Sequence, residues 1–228
     1  MKQLERKVAI DHRQSVSTLW RVPDSYQGET AVIVAHGAGN DMHSPFVSAM
    51  HEYWSEAGVM AVKFNFPYKE RGGRLPDRAT VLIDTWRGVA DSVRNDPELA
   101  PRHLFFAGKS LGGRMASMLA AEGDEPAGLI FLGYPLHPAG KPEKLRTAHL
   151  GGIRSPMLFI EGTRDPLCDL GILRKVLEDL GDAKNELYCV EGGDHSFKIP
   201  KRLGREPSDV LAEIGRRALD FMAAHTSR

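Results

Sequence analysis

Six short apolar runs constrain this chain more than anything else in it: 31–35, 59–66, 104–107, 129–132, 157–160 and 187–190. None of them alternates apolar with polar residues. A strand with one wet face reads as an alternation, whereas an unbroken short run suits a strand covered on both faces, as in a parallel sheet. Between the runs lie stretches with helical spacing. Phe46, Met50, Tyr53 and Ala57 follow a Ser44-Pro45 start and stop at Gly58; Leu82, Trp86, Val89 and Val93 precede Asn95-Asp96-Pro97. Leu170, Leu173, Leu177 and Leu180 run from Asp169 to Gly181, and Leu211, Ile214, Ala218 and Met222 follow Pro207. Serine or aspartate before such a stripe, proline at its first turn and glycine after it are start and stop signals with known causes. Strand and helix in alternation predict an α/β fold with a mostly parallel, doubly wound sheet. The first 30 residues differ, with alternating stretches around 7–10 and 16–22 that predict an antiparallel edge hairpin. At 228 residues, the expectation is a single domain over 1–228.

Every unusual polar cluster follows one of the six runs. They are His36-Gly37-Ala38-Gly39-Asn40-Asp41, Pro67 to Gly73, Gly108-Lys109-Ser110-Leu111-Gly112-Gly113, Gly133-Tyr134-Pro135-Leu136-His137, Gly162-Thr163-Arg164-Asp165 and Gly192-Gly193-Asp194-His195. In a parallel sheet all of these are carboxyl ends of strands, so they converge on one edge, where ligands bind.

The third cluster is the most informative. Gly108-x-Ser110-x-Gly112 between a strand and a helix reads as a nucleophile elbow, a sharp turn that pushes the serine outward. Gly108-Lys109-Ser110 could also end a phosphate-binding loop, but that loop needs glycine five positions before Gly108, where this chain has His103. A serine hydroxyl needs a base, and the base needs a third group to orient it. Downstream the chain offers Asp165 and then His195, each after a buried run, giving Ser110, Asp165 and His195 as the catalytic candidates. Asp165 is preferred to Asp169, read as a helix cap, and to Asp194, because it ends its strand directly. The N–H groups of Leu111 and Ala38 are the candidate oxyanion donors. Tyr68, Arg71 and Tyr134 are candidate substrate contacts, and Lys69, Arg71, Arg74 and Arg164 are loop cations that would suit an anionic substrate, solvated loop charges being the plain alternative. His36, read as bonding backbone around its turn, together with Asp41 and His43 has no recognisable metal-ligand spacing, so no metal and no cofactor are expected.

Thirty basic and thirty acidic residues give a formal charge of zero, which asks for neither nucleic acid nor an anionic membrane. Cys168 and Cys189 have no CxxC spacing and read as free thiols, one in a loop and one in a strand. No stretch approaches a membrane span, and the N-terminus lacks an apolar signal core, so the expected location is the cytoplasm and the expected partner a small molecule, with a homo-oligomer left open.

These motifs together resemble the α/β-hydrolase superfamily, near its dienelactone-hydrolase-like branch. The resemblance rests on His36-Gly37-Ala38-Gly39 with Asp41-Met42, Asn65-Phe66-Pro67-Tyr68 with Arg71-Gly72-Gly73, Gly108 to Arg114, Gly133 to Pro138, Gly162 to Asp165 and Gly193 to Phe197. It is similar in particular to a group of small predicted hydrolases that includes testis-expressed protein thirty and the hydrolase-like domain of a nonspecific-lethal complex subunit. The resemblance implies the α/β-hydrolase fold and the positions of Ser110, Asp165 and His195, and no substrate. One departure is clear: dienelactone hydrolases carry cysteine where this chain has Ser110. Larger lipases and epoxide hydrolases insert a cap after the strand that ends here at Leu132; only about 22 residues, Pro135 to Pro156, are available, so no large cap and an open, shallow site are expected. The expected function is a serine hydrolase acting on an ester, thioester or related acyl bond. A catalytically silent interaction module and a serine peptidase on the same fold are the alternatives.

Overall fold

A computed structural model describes residues 1–11, 14–181 and 184–226. Eight strands form one sheet: β1 (Lys2–Ala9), β2 (Ser15–Val22), β3 (Thr30–Ala35), β4 (Met60–Phe64), β5 (His103–Lys109), β6 (Gly128–Leu132), β7 (Met157–Gly162) and β8 (Glu186–Val190). Their order is β1-β2-β4-β3-β5-β6-β7-β8. The hairpin β1–β2 is antiparallel and joins β4 antiparallel, while every pairing from β4 to β8 is parallel. The expected edge hairpin and parallel sheet are therefore both present.

The helices are α1 (Pro45–Glu56), α2 (Pro67–Glu70), α3 (Ala79–Arg94), α4 (Leu111–Ala121), α5 (Leu170–Leu180) and α6 (Pro207–Ala224). They cover both faces, which explains the missing alternation in the strands. Ile33, Phe106, Phe131 and Phe159 pack under α3, α4 and α5 with Trp86, Met115 and Leu173. Their neighbours Val32, Val34, Phe105, Ile130 and Ile160 pack under α1 and α6 with Trp54, Ile214 and Phe221. Odd and even residues of one strand thus both meet apolar partners. Losing one of the large aromatic anchors would cost about 3–5 kcal/mol.

Two expectations are corrected here. The buried residues of α1 are Val47, Met50, His51, Trp54 and Ser55; of the expected stripe Met50 is among them, Phe46 and Tyr53 are half-buried against the same core, and Ala57 is exposed. The indole decides the register: Trp54 is fully buried and donates to Gly215 O of α6 at 3.2 Å, while the Tyr53 ring lies against Gly215 from the side. The last run is also not covered on both faces, because β8 closes the sheet at its edge and only Val190 is buried.

Pro135 to Pro156 holds one short 3-10 turn, Leu150–Gly152, and no inserted domain. Cys168 and Cys189 are free thiols, in a loop and in β8. Among the described residues no helix is long and apolar enough to cross a membrane.

Candidate active site

Strand β5 runs straight into α4 through Ser110, whose φ of 50° and ψ of −113° are foreign to a β-carbon-bearing residue. Backbone crowding explains how that turn is enforced. A β-carbon on Gly108 would overlap the backbone of Gly112 and Gly113; one on Gly112 would stand 2.7 Å from His36 O, and one on Gly113 2.6 Å from Gly108 O. Only hydrogen atoms fit at these positions, so the chain folds back on itself and Ser110 points outward. Trp86 of α3 anchors the turn from below by donating to Gly112 O at 3.0 Å.

The turn after β3 lies against the elbow. A β-carbon on Gly37 would stand 3.5 Å from Ser110 Cβ. His36 shapes this turn and does not face the reaction: fully buried, it contacts Gly37 O through Nδ1 at 2.8 Å and accepts from Phe66 N–H through Nε2 at 3.2 Å. Burial holds its pKa down at about 4, so the imidazole is neutral and Nδ1 carries the proton given to Gly37. The N–H of Leu111 opens α4 and has no helical acceptor, and Ala38 N–H sits in the neighbouring turn.

Strands β7 and β8 end in two loops that are locked together. A β-carbon on Gly162 would fall on Gly193 O and stand 2.7 Å from Asp194 O. Across this contact Thr163 N–H donates to Val190 O at 3.1 Å, Arg164 N–H to Gly193 O at 2.8 Å, and Gly192 N–H to Thr163 Oγ1 at 2.8 Å. Asp194 braces the next turn by accepting from Ser196 N–H at 2.8 Å and Lys198 N–H at 2.9 Å. The loop also contains Phe197 at a φ of 59°, stacked on Phe46 at 5.4 Å.

These loops bring the three candidates into one line. His195 Nε2 is 2.9 Å from Ser110 Oγ, and His195 Nδ1 is 2.6 Å from Asp165 Oδ2. The Asp165 side chain is fully buried, and its other oxygen accepts from Leu167 N–H at 2.8 Å. Asp169 instead caps α5 by accepting from Ile172 N–H at 3.0 Å.

The outer candidates are placed differently. Tyr68 and Tyr134 are both buried in the core, and the Tyr134 hydroxyl donates to Arg146 O at 2.9 Å. Arg71 is exposed and paired with Asp77 at 2.5 Å. Lys69 reaches Gly39 O and Gly73 O at 3.5 and 3.4 Å, Arg164 reaches Gly192 O at 3.5 Å, and Arg74 is exposed. None of these cations joins the Ser110–His195–Asp165 line. Among the described residues no group of three or more His, Cys, Asp or Glu is arranged to hold a metal ion.

Sequence reasoning missed a pair of buried titratable groups beneath the site. Lys109 is 8% exposed, and its ammonium donates to His195 O at 2.5 Å. Glu161, fully buried on β7, accepts from Tyr134 N–H at 2.6 Å through Oε1, and its carboxyl also meets the Cys168 thiol. Burial pushes the Glu161 carboxyl well above the carboxylate range and draws Lys109 down to about 8 against the opposing pull of Glu161, Asp165 and Asp194. The available signal was a glutamate directly following the apolar run 157–160, and a lysine inside the elbow.

The sequence profile of the alpha/beta hydrolase domain family matches residues 28–223, which takes in every loop just described. The chain belongs to that family. Solved structures agree on the fold of this α/β-hydrolase. A serine hydrolase homologue from Coxiella burnetii is 18% identical with a TM-score of 0.74, over 95% of this chain and 98% of that one. A dienelactone hydrolase from Anabaena variabilis is 20% identical with a TM-score of 0.72, over 98% and 97%. A serine hydrolase without lid from Xanthomonas campestris is 20% identical with a TM-score of 0.71, over 96% and 95%.

Proposed function

We propose that this α/β-hydrolase is a serine hydrolase that cleaves a small carboxylic ester, thioester or related acyl bond through an acyl-enzyme. The observation that carries this reading is the continuous hydrogen-bonded line from Ser110 Oγ through His195 to the buried Asp165. In this reading Ser110 Oγ attacks the acyl carbon, its proton passes to His195 Nε2, and the carbonyl electron pair moves onto oxygen. The N–H groups of Leu111 and Ala38 receive that oxyanion, each such donor contributing about 3 kcal/mol. The electron pair returns, the bond to the leaving group breaks, and the leaving alcohol or thiol takes the proton from Nε2. Water then adds to the acyl-enzyme, giving its proton to Nε2; the carboxylic acid departs and Ser110 Oγ recovers the proton. Asp165 holds the imidazole with Nδ1 protonated and stabilises the imidazolium.

The short segment after β6 and the likeness to a lidless serine hydrolase support an open site for small or extended acyl groups. The test is turnover of short-chain p-nitrophenyl esters together with labelling by a fluorophosphonate. Wild type is expected to do both, and Ser110→Ala to label not at all and to lose turnover by roughly 10⁶-fold. Turnover that survives in Ser110→Ala would rule the reading out.

A further inference from the structure

The ammonium of Lys109 is walled in beneath the candidate base. It donates to the carbonyl of His195 itself at 2.5 Å and lies 5.4 Å from the centre of the Phe197 ring. Gly133, at the end of β6 with a φ of +72°, leaves the space it occupies: a β-carbon there would stand 2.8 Å from Lys109 Nζ and 3.3 Å from His195 O. Asp165 on the loop after β7 and Asp194 on the loop after β8 bring negative charge to this cell, and Glu161 on β7 faces it as a carboxyl whose burial favours the neutral form. Gly133 and Phe197 bring none. A buried lysine costs stability unless something holds its charge. Here the histidine's own backbone and neighbouring carboxyls hold it.

We propose that Lys109 is a positioning residue for His195, its ammonium gripping the His195 carbonyl and so fixing the imidazole between Asp165 and Ser110. The inference rests on the triad reading above and deepens it. The ring of His195 is held by Asp165 and Ser110, and this charge-assisted bond adds a hold on its main chain. The grip weakens when the ammonium loses its proton, and burial brings that loss down to about pH 8. The sign follows directly: the contribution is complete well below that pH and is lost as pH rises through it.

The experiment is the pH profile of kcat for p-nitrophenyl acetate, corrected for spontaneous hydrolysis, and of fluorophosphonate labelling, in wild type, Lys109→Met and Lys109→Arg, with folding checked by circular dichroism. Wild type should lose rate near pH 8. Lys109→Met should lower kcat about a hundredfold, as displacement of a reacting group by an ångström does, with KM little changed and no alkaline fall near pH 8. Lys109→Arg keeps a cation that does not titrate in this range, so it should exceed the Met variant in rate and also lack the fall near pH 8. A Met variant within about threefold of wild type, or an Arg variant that keeps the alkaline fall, overturns the proposal. If Lys109→Met does not fold, the Arg profile alone decides. Turnover that depends on Ser110 but ignores Lys109 overturns only the grip; a wild type that neither turns over nor labels overturns the triad reading with it.

Discussion

The two halves of the site are held by different balances of exclusion and attraction. On the β3–β5 side, the elbow and the His36–Ala38 turn are fixed by exclusion: glycines at 108, 112 and 113 stand where any β-carbon would strike backbone, and His36 contributes as a neutral, buried group. On the β7–β8 side exclusion acts at Gly162 alone, and the loops carrying Asp165 and His195 are fixed chiefly by attraction, through Thr163, Asp194, the Asp165 carboxylate and the Lys109 ammonium. A region locked by sterics fails when an atom is added, and one locked by charge and hydrogen bonds fails when a partner is neutralised. The contrast suits the proposed chemistry. In the proposed cycle the nucleophile must hold a strained backbone through every turnover, whereas the imidazole gains and loses a proton and is stabilised by partners that respond to charge.

That contrast can be broken from either side. The largest effect is expected from Gly108→Ala, because the new methyl meets backbone atoms of Gly112 and Gly113 that cannot turn aside. The loss should exceed about 4 kcal/mol, a fall in Tm of about 10 °C or more; an unchanged melt would break the steric account of the elbow. Asp165→Asn is next, and adds no volume at all. It should fold normally yet reduce kcat by about 10⁴-fold, since the amide favours the wrong imidazole tautomer. A Tm far below wild type would mean that the acid–base side is held for stability as well as for chemistry.

The smallest effect separates the two sides by pH. His36 and His51 are both fully buried, and burial lowers them to about 4 and about 3. Their folded values lie below the unfolded one, so the unfolded chain binds protons first as pH falls below about 6.5. Each should therefore remove up to about 1.4 kcal/mol of stability per pH unit until its own folded value is reached. Denaturant unfolding at pH 7 and pH 5 measures this, and His36→Gln should flatten the dependence. An unchanged slope would show that His36 is not the neutral strut of the turn after β3.

The steric half was the more legible in sequence. Glycines at 108, 112 and 113 around a serine can be recognised because the constraint is local, and the apolar runs announce their own burial. The order Ser110, Asp165, His195 at strand ends was readable for the same reason. What stayed hidden depends on juxtaposition between strands. Lys109 and Glu161 are 52 positions apart in the chain, and nothing in either neighbourhood says that β5, β6 and β7 bring them to the same cell. Tyr68, Arg71 and Tyr134 sit on the right loops, but a strand end does not reveal whether a side chain faces the cleft or the core. For Tyr134 the aromatic contacts with Phe131 and Phe159 settle the matter, and Phe159 comes from the next strand rather than from the neighbourhood of the loop that carries Tyr134.

The central claim is that Ser110 carries the acyl group during turnover. Acid-quenching the wild type seconds after mixing with p-nitrophenyl acetate, followed by intact-mass and peptide analysis, tests it most directly. One acetyl group on the peptide containing Ser110, absent from Ser110→Ala and accumulating in Asp165→Asn only slowly, is the expected result. Turnover with no acyl adduct, or an adduct on another residue at stoichiometric yield, would contradict it.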